Sequence, residues 1–302
     1  MPANKKSGCC GLDRRFYAGP KLVIMVAHPD DVQHVLVTSR LVERDPHTTS
    51  AVWPFVGDGL LTLNGSRWKT HRKLINPTFH SELLGNFLEA FHEGGLYFSE
   101  RLASDSAGGA APADVHVAAF FGAMRSFCSA VVGADPDRLI PDIPEHEVTT
   151  ALRRALALAQ ETLRLFPVVP MLPRIVREEI WLSKGRVPVP KGAILFVTPF
   201  LTHRLPQFFP DPLRFDPSRF LEGRGDEEHP CSYLPFGLGS RNCVGSQYAR
   251  LEVKVFLATV LRRFRFLPHS RWEDLEHALL SITLHTIKPI EVYCVPLQES
   301  GL

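Results

Sequence analysis

The feature that most constrains this chain is a glycine-rich segment, Phe236 to Gly245, that contains one cysteine, Cys243. Apolar residues recur at helical spacing over the following residues 246–264, which predicts that the cysteine stands at the mouth of a helix. A thiol at a helix N-terminus feels the positive end of the helix dipole, which favours the metal-ligating thiolate. Glycines let the backbone approach a large flat group closely. We therefore expect Cys243 to be a metal ligand, the alternative being a structural cysteine beside a glycine turn.

The segment resembles the haem-binding loop of cytochromes P450, FxxGxRxCxG. The matching positions are Phe236, Gly239, Arg241, Cys243 and Gly245. The resemblance implies heme b (iron protoporphyrin IX) as the cofactor, Cys243 as the axial ligand of the iron, and the other four residues as contacts of the haem. A thiolate ligand donates electron density to haem iron and favours O–O cleavage.

Composition narrows the class of protein. A chain of 302 residues with 45% hydrophobic content can bury a sizeable core. A net charge of +2 gives no electrostatic reason to expect a nucleic-acid partner. The six cysteines lack the spacing of a disulfide framework or a zinc site, which favours a reducing compartment. No apolar run approaches the ~20 residues needed to span a bilayer, so we expect a soluble or peripheral chain.

The apolar patterning predicts a mainly α protein with a small β region. Helices are expected to open at Pro29, to span Asn64 to Pro77, 151–165 and 246–264, and to lie buried at Val115 to Val132. Strands are expected at 21–27, 187–198 and 281–296. By the resemblance this is an abridged cytochrome P450 fold, a single domain over 1–302. Its parts are an N-terminal portion (17–103), an uncertain junction (104–150) and a C-terminal portion with the haem-binding loop and final helix (151–295).

Two side chains of the second predicted helix, Trp68 and Arg72, are four positions apart and so share one face. Alone, they fit an ordinary surface pair. Their surroundings resemble the WxxxR helix of cytochromes P450, which implies that the indole N–H and the guanidinium donate to the haem propionates. The resemblance gives Arg241 and Arg174 the same role.

Glu161 and Arg164 are three positions apart on the 151–165 helix. Such a pair is often only an exposed salt bridge. Here the flanking sequence and the stretch around Arg219 resemble the ExxR and PxRF elements of the same family. The resemblance implies a buried, structural network of Glu161, Arg164 and Arg219 that ties the helix to the meander before the cysteine loop.

The phrases Gly57 to Thr62 and Glu161 to Pro167 resemble the microsomal family-4 branch, which includes fatty-acid hydroxylases. That resemblance implies a monooxygenase, an oxidoreductase that inserts one oxygen atom from O2 into a hydrophobic, fatty-acid-like small molecule. Electrons would come from NADPH-cytochrome P450 reductase. The implied location is the cytosolic face of the endoplasmic reticulum membrane.

Family members are longer, and two of their parts are expected to be missing: the N-terminal membrane anchor and the distal oxygen-activating helix. The Thr-Thr pair in the right sequence order is Thr149-Thr150, but Val148 occupies its acid position, and Glu161 follows Thr150 by only 11 positions. We therefore identify no catalytic acid–threonine motif and expect weak or absent coupled monooxygenation. A non-catalytic haem-binding remnant is the second hypothesis.

A third hypothesis comes from His28 to Asp31, which resembles the metal motif of zinc-dependent N-deacetylases. His28 and Asp31, with His34 nearby, have suitable ligand chemistry. However, Val32 replaces the acid usual in that family, and Pro29 followed by two aspartates is also typical of a helix start.

Overall fold

The structure is a computed structural model of the chain. It describes residues 15–39, 41, 43–50, 52–127, 129–130, 157–182, 185–221, 229–271, 273–274, 278–280 and 283–297. The chain divides into two compact units. The first contains residues 1–74, 163–215 and 224–243, and the second contains residues 75–162, 216–223 and 244–302.

The described residues form helices and short strands, numbered in chain order. The strands are β1 (Arg15–Ala18), β2 (Lys21–Val26), β3 (Ala113–Asp114), β4 (Leu172–Ile175), β5 (Ile180–Leu182), β6 (Val187–Val189), β7 (Ile194–Val197), β8 (Phe264–Pro268), β9 (Ala278–Leu280), β10 (Leu284–Thr286) and β11 (Glu291–Pro296). The helices are α1 (Pro29–Gln33), α2 (Pro46–Ser50), α3 (Trp53–Val56), α4 (Gly65–Ile75), α5 (Ser81–Leu84), α6 (Leu88–Asp105), α7 (Val115–Phe127), α8 (157–165), α9 (Pro199–Thr202) and α10 (Ser246–Arg263).

The first unit is built on a four-stranded sheet with the strand order β1-β2-β7-β4. Strands β2 and β7 are parallel, with Ile24 opposite Leu195, whereas the other pairs are antiparallel. Ile24 and Leu195 are fully buried in the core of this unit, as expected for apolar runs in central strands. Strand β4 brings Arg174 opposite Leu195.

Helix α1 begins where the sequence predicts. The His28 side chain accepts a hydrogen bond from the N–H of Asp30 at 3.3 Å, and Pro29 occupies the first helical position. After five residues the helix passes into a π-helical turn, His34–Thr38.

The second unit is built on α6, α7 and α10, whose buried residues form one apolar cluster with β8 and β11. Helices α6 and α7 approach closely at Gly94, where a Cβ would lie 1.9 Å from the Ser126 hydroxyl oxygen. At its C-terminus α10 continues directly into β8, which pairs with β11.

The predicted burial of the helix starting at Val115 is wrong. Its buried face consists of small residues, Ala118, Gly122 and Ser126, because α6 packs too closely to admit larger ones. Larger apolar side chains on α7 are exposed, including Val117, Phe120, Phe121, Met124 and Phe127.

The C-terminal strands also differ from the prediction. Strands β9 and β10 form a hairpin, whereas β11 pairs with β8 and β3. The sequence pattern did not separate β8 from the preceding helix. No helix within the described part of the chain combines the length and apolar character needed to cross a membrane.

Candidate functional site

The loop before α10 carries an accessible thiol on a braced backbone. The N–H of Cys243 donates to the carbonyl of Phe236 at 2.9 Å, and the Cys243 side chain is exposed. Gly239 has a φ of 74°, and a Cβ there would lie 2.1 Å from the carbonyl oxygen of Leu36. Glycine is required at 239, because other residues disfavour this φ and Leu36 fills the space. The loop therefore packs tightly against the π-helical turn while its thiol stays accessible.

Arg72 on helix α4 binds the residue next to the thiol. Its Nη1 donates to the Asn242 carbonyl and its Nη2 to the Asn242 Oδ1, both at 2.7 Å. Burial lowers the pKa of Arg72, and the electrostatic interaction with Cys243 acts in the opposite direction. The structure thus places Arg72 beside the cysteine loop. No sequence pattern had selected Asn242.

Trp68 supports Arg241. The guanidinium carbon of Arg241 lies 3.8 Å from the centre of a Trp68 ring, a distance suited to a cation–π interaction. Both side chains are buried. Arg241 also donates to the Leu63 carbonyl at 2.9 Å and to the Asn64 Oδ1 at 2.8 Å. Three predicted residues, Trp68, Arg72 and Arg241, are thereby brought to the same loop.

Arg174 adds a further buried cation. It is 3% exposed and donates to the Pro173 carbonyl at 2.8 Å. Burial, then the charges of Arg44 and Arg241, lower the pKa of Arg174 to about 9. Burial, Arg44 and Arg72 likewise lower the pKa of Arg241 to about 10, with Glu43 acting in the opposite direction. Mutual repulsion of this kind would be relieved by an anionic group.

Arg44 belongs to this cluster, and sequence reasoning missed it. Its Nη1 donates to the Leu61 carbonyl at 2.7 Å, while its N–H and carbonyl both bond to the Asn64 side chain. Burial lowers its pKa, and its Nε has no hydrogen-bond partner within the part of the chain that the structure describes. No local motif marks Arg44, since its nearness to Arg174 depends on long-range folding.

These residues fit a haem group. Haem would offer an iron to the exposed thiol and two propionate carboxylates to the cluster of Arg44, Arg72, Arg174 and Arg241. An anionic partner would raise the lowered pKa values of Arg174 and Arg241, and it would accept a hydrogen bond from the Arg44 Nε, which has no partner among the described residues. Gly245 is compatible with the same loop. Its φ is −88°, and a Cβ there would only make an ordinary contact with Phe79 at 3.7 Å.

Arg164 on α8 is fully buried and binds three backbone carbonyls. Its Nη1 donates to His203 at 2.9 Å and to Pro212 at 2.7 Å, and its Nη2 donates to Arg214 at 3.1 Å. These hydrogen bonds join α8 to the segment after α9, so the Arg164 side chain stabilises the fold at this point.

Glu161, also fully buried, binds the chain just before Arg219. Its Oε1 accepts the N–H of Asp216 at 2.8 Å and lies 3.6 Å from the Nε of Arg219. The structure thus brings Arg219 to Glu161.

The described residues do not support the zinc hypothesis. Within the described ranges, no group of three or more His, Cys, Asp or Glu side chains is placed to hold a metal ion. His28 caps α1, Asp31 is buried, and His34 begins the π-helical turn.

Val148, Thr149 and Thr150, which stand in the sequence order of the distal motif but lack its acid, lie outside the described residues. Most of the second half of the 104–150 junction lies outside them too. The missing distal motif therefore stays a prediction.

Comparison with known proteins identifies the class. The chain belongs to the cytochrome P450 family, because the family model described as "Cytochrome P450" matches residues 14–141 and 137–292. Its fold resembles the crystal structure of CYP175A1 from Thermus thermophilus. That similarity has a TM-score of 0.69 at 22% identity and covers 91% of this chain and 89% of the other. The predicted family and the mainly α fold with a small β region are confirmed, and membership implies a haem cofactor.

Curated relatives belong to the predicted branch. The chain is 40% identical over 148 residues to "Probable cytochrome P450 4s3" of Drosophila melanogaster, covering 48% of this chain and 28% of that protein. It is 46% identical over 109 residues to "Cytochrome P450 4F2" of Homo sapiens, covering 36% of this chain and 21% of that protein. The matched segments thus span less than a third of these relatives' own length.

Proposed function

We propose that this chain is a haem-thiolate protein that holds iron protoporphyrin IX through Cys243. The observation that carries the proposal is the exposed thiol on a braced loop that Arg72 binds and that contains Arg241. These two arginines form a cluster with Arg44 and Arg174, and all four have a lowered pKa. A reactive cysteine is expected in such accessible, electropositive surroundings. The family match to residues of both units supports treating 1–302 as one functional domain.

Each residue has a distinct task in this proposal. Arg44, Arg72, Arg174 and Arg241 supply positive charge and N–H donors for the propionates, for which planar guanidinium groups are well suited. The indole N–H of Trp68 is proposed to donate to a propionate, and the Trp68 ring also holds Arg241 in place by stacking. The Phe236 carbonyl and the φ of Gly239 fix the backbone around Cys243. Phe236 and Gly245, at the two ends of the loop, are its further proposed contacts with the haem.

Bound haem would supply dioxygen activation, with the thiolate donating electron density to the iron. The contribution of the chain is to hold Cys243 in place for the iron and to compensate the propionate charges. Glu161, Arg164 and Arg219 act through structure alone, since they hold the segments that lead to the loop.

We further propose monooxygenation of hydrophobic, fatty-acid-like small molecules with O2, and NADPH-cytochrome P450 reductase as the electron donor. This substrate class comes from the resemblance to the family-4 branch, and the chain is similar to family-4 cytochromes P450 of Drosophila melanogaster and Homo sapiens. The same branch supports placement at the cytosolic face of the endoplasmic reticulum.

Reductase-dependent NADPH oxidation with formation of a hydroxylated fatty acid tests the proposed monooxygenation. Oxidation without product favours the non-catalytic haem-binding hypothesis.

The haem-thiolate proposal is tested by the variant Cys243→Ser, with Cys231→Ser as the matched control. Cys231 is buried, and burial raises the pKa of its thiol to about 11, so it does not supply a thiolate. After loading with haem, wild-type protein and Cys231→Ser should give the thiolate-type Soret band in the reduced carbon-monoxide difference spectrum. Cys243→Ser should lose that band.

Retention of the band by Cys243→Ser would contradict the assignment of the ligand. A wild-type protein that takes up haem without giving the band would reject the haem-thiolate proposal itself.

A further inference from the structure

His203 is a fully buried residue that occupies the C-cap of α9 and belongs to none of the motifs that define the candidate site. Both nitrogens of its ring are engaged. Nδ1 lies 3.2 Å from the carbonyl oxygen of Arg164, and Nε2 accepts the N–H of Leu234 at 2.7 Å. His203 therefore joins α8 to the segment that leads into the cysteine loop.

The partners fix the protonation of the ring. The amide of Leu234 can only donate, so Nε2 of His203 must carry a lone pair. The carbonyl of Arg164 can only accept, so Nδ1 must carry the hydrogen. The geometry thus selects one neutral tautomer, which places a donor on one side of the ring and an acceptor on the other.

His203 and Arg164 are bonded twice. The Arg164 side chain donates to the His203 carbonyl at 2.9 Å, while the His203 ring donates to the Arg164 carbonyl. The hydroxyl of Thr202 also donates to the carbonyl of Ala27 at 2.8 Å, which fixes α9 to the end of β2. With its backbone held from two directions, the His203 ring presents Nε2 at a defined position.

The hydrogen bond to Leu234 reaches the cysteine through a short path. Leu234 is buried, and its carbonyl accepts the N–H of Gly237 at 3.1 Å, so residues 234–237 form a turn. Phe236 within that turn provides the carbonyl that binds the N–H of Cys243. Fixing Leu234 therefore fixes the acceptor that holds the backbone of Cys243.

We propose that His203 is a positioning residue for the thiolate ligand: it sets the turn at 234–237 and through it the placement of Cys243. This inference rests on the proposed function, since it assigns His203 a role in that same site. His203 acts through Leu234 and Phe236, without touching the thiol.

A packing role alone would predict different behaviour. The ring of His203 lies 5.2 Å from that of Tyr233 and 6.5 Å from that of Phe209, centre to centre. If only these contacts mattered, phenylalanine would replace histidine well. If the bond to Leu234 matters, an acceptor at the Nε2 position is needed.

Three variants of residue 203 separate the two roles, with Phe209→Leu as the packing control. In His203→Gln the side-chain oxygen reaches the place of Nε2 and can accept the N–H of Leu234. In His203→Asn the amide can reproduce only the Nδ1 side, and His203→Phe reproduces neither. The glutamine and asparagine variants decide the matter even where the phenylalanine variant fails to fold.

The first readout is amide hydrogen exchange of Leu234 and Cys243 in the haem-free protein, measured beside global unfolding. Because losing a buried hydrogen-bond partner costs about tenfold or more in an opening equilibrium, we expect His203→Asn and His203→Phe to accelerate both amides by that factor. His203→Gln should stay near wild type. Phe209→Leu should alter exchange only as far as it lowers global stability.

The second readout is the reduced carbon-monoxide spectrum of each haem-loaded variant at equal haem content. His203→Asn should lose thiolate-type band intensity, whereas His203→Gln and Phe209→Leu should retain it. If wild type and all variants show the band equally and exchange is unchanged, His203 has no positioning role, although the proposed function stands. If wild-type protein itself lacks the band, the proposed function fails, and exchange alone decides whether His203 fixes the turn.

Discussion

The buried arginines of the candidate site are the residues that most directly indicate a bound anion. Isolated guanidinium groups are costly to bury, so proteins normally pair them with acids or with bound anions. Arg174 is 3% exposed and lies near two further arginines that lower its pKa. The haem-free protein therefore carries a destabilising charge whose benefit appears only when an anion binds.

The substitution Arg174→Met should separate these two effects. Removing the buried charge should stabilise the haem-free protein by about 1–3 kcal/mol, because apolar replacement of uncompensated buried charge is often stabilising. The same change should speed haem loss on the order of tenfold, because a hydrogen bond to a carboxylate is lost. Urea unfolding of the haem-free protein and haem transfer to an acceptor globin measure the two quantities.

Arg186→Met is the matched control, since Arg186 is exposed and lies on the same unit. It should change neither quantity. A loss of stability together with unchanged haem loss in Arg174→Met would show that Arg174 serves the fold rather than an anion.

Local sequence predicted the residues whose role depends on near neighbours. Gly239, Cys243 and the Trp68–Arg72 spacing could be selected because a loop or one helical turn defines them. Arg44 could not be selected in the same way, because Arg174, whose charge it repels, is 130 positions away. His203 could not be selected either, because Leu234, which donates to its ring, is 31 positions away. Contacts between residues that are far apart in the sequence leave no periodic pattern from which they could be predicted.

At the scale of elements, the packing of α6, α7 and α10 buries a carboxylate oxygen of Glu252. Glu252 on α10 has an Oε1 that is buried without a hydrogen-bond partner among the described residues. Burial raises its pKa to about 7, with a hydrogen bond from Ser126 acting in the opposite direction. Burial and the charge of Glu252 likewise raise the pKa of Tyr248, one helical turn earlier.

Glu252 should make stability depend on pH. A carboxyl whose pKa is raised by folding stabilises the fold fully below its ordinary pKa of 4.5, and this contribution is lost as pH rises through about 7. Since Glu252 is partly accessible, solvent screening reduces the effect to about 1–2 kcal/mol. Glu252→Gln should equal wild type in stability near pH 4.5 and exceed it at pH 8, as measured by urea unfolding.

Glu100→Gln, an exposed change on α6, should leave the pH profile of wild type intact. Parallel profiles for wild type and Glu252→Gln would mean that Glu252 is ionised in the folded protein across this range.

Helical periodicity located α4, α7 and α10 but misjudged what α7 buries. The sequence of α7 is apolar on most sides, and such a helix is usually internal. Its contact with α6 is instead made by Gly122 and Ser126, which only a close backbone approach can use. A prediction from hydrophobicity alone expects the larger apolar residues of α7 to be buried, and it therefore selects the wrong face of α7 for the contact with α6.

At the scale of the whole molecule, the exposed side of α7 presents several large apolar side chains on one helical face. Phe120, Phe121, Met124 and Phe127 are each more than two-fifths exposed and recur at the spacing of one helical face. Contiguous apolar surface of this kind promotes association or marks an interaction site.

The double variant Phe120→Ser/Met124→Ser should bind less of a hydrophobic dye and should aggregate more slowly than wild type. The control Leu74→Ser/Leu213→Ser removes two residues that are even more exposed, at 71% and 69%, but lie on different elements. Dye fluorescence and light scattering at matched concentration measure the effect. Equal reductions in both variants would show that clustering on α7 has no special consequence.

The uncovered aromatic row on α7 also bears on the lifetime of this polypeptide in a cell. Holdase chaperones and quality-control proteases select chains by the apolar segments they display, and small differences in display change steady-state abundance several-fold. Covering Phe120 and its neighbours would therefore raise the steady-state amount of the folded chain.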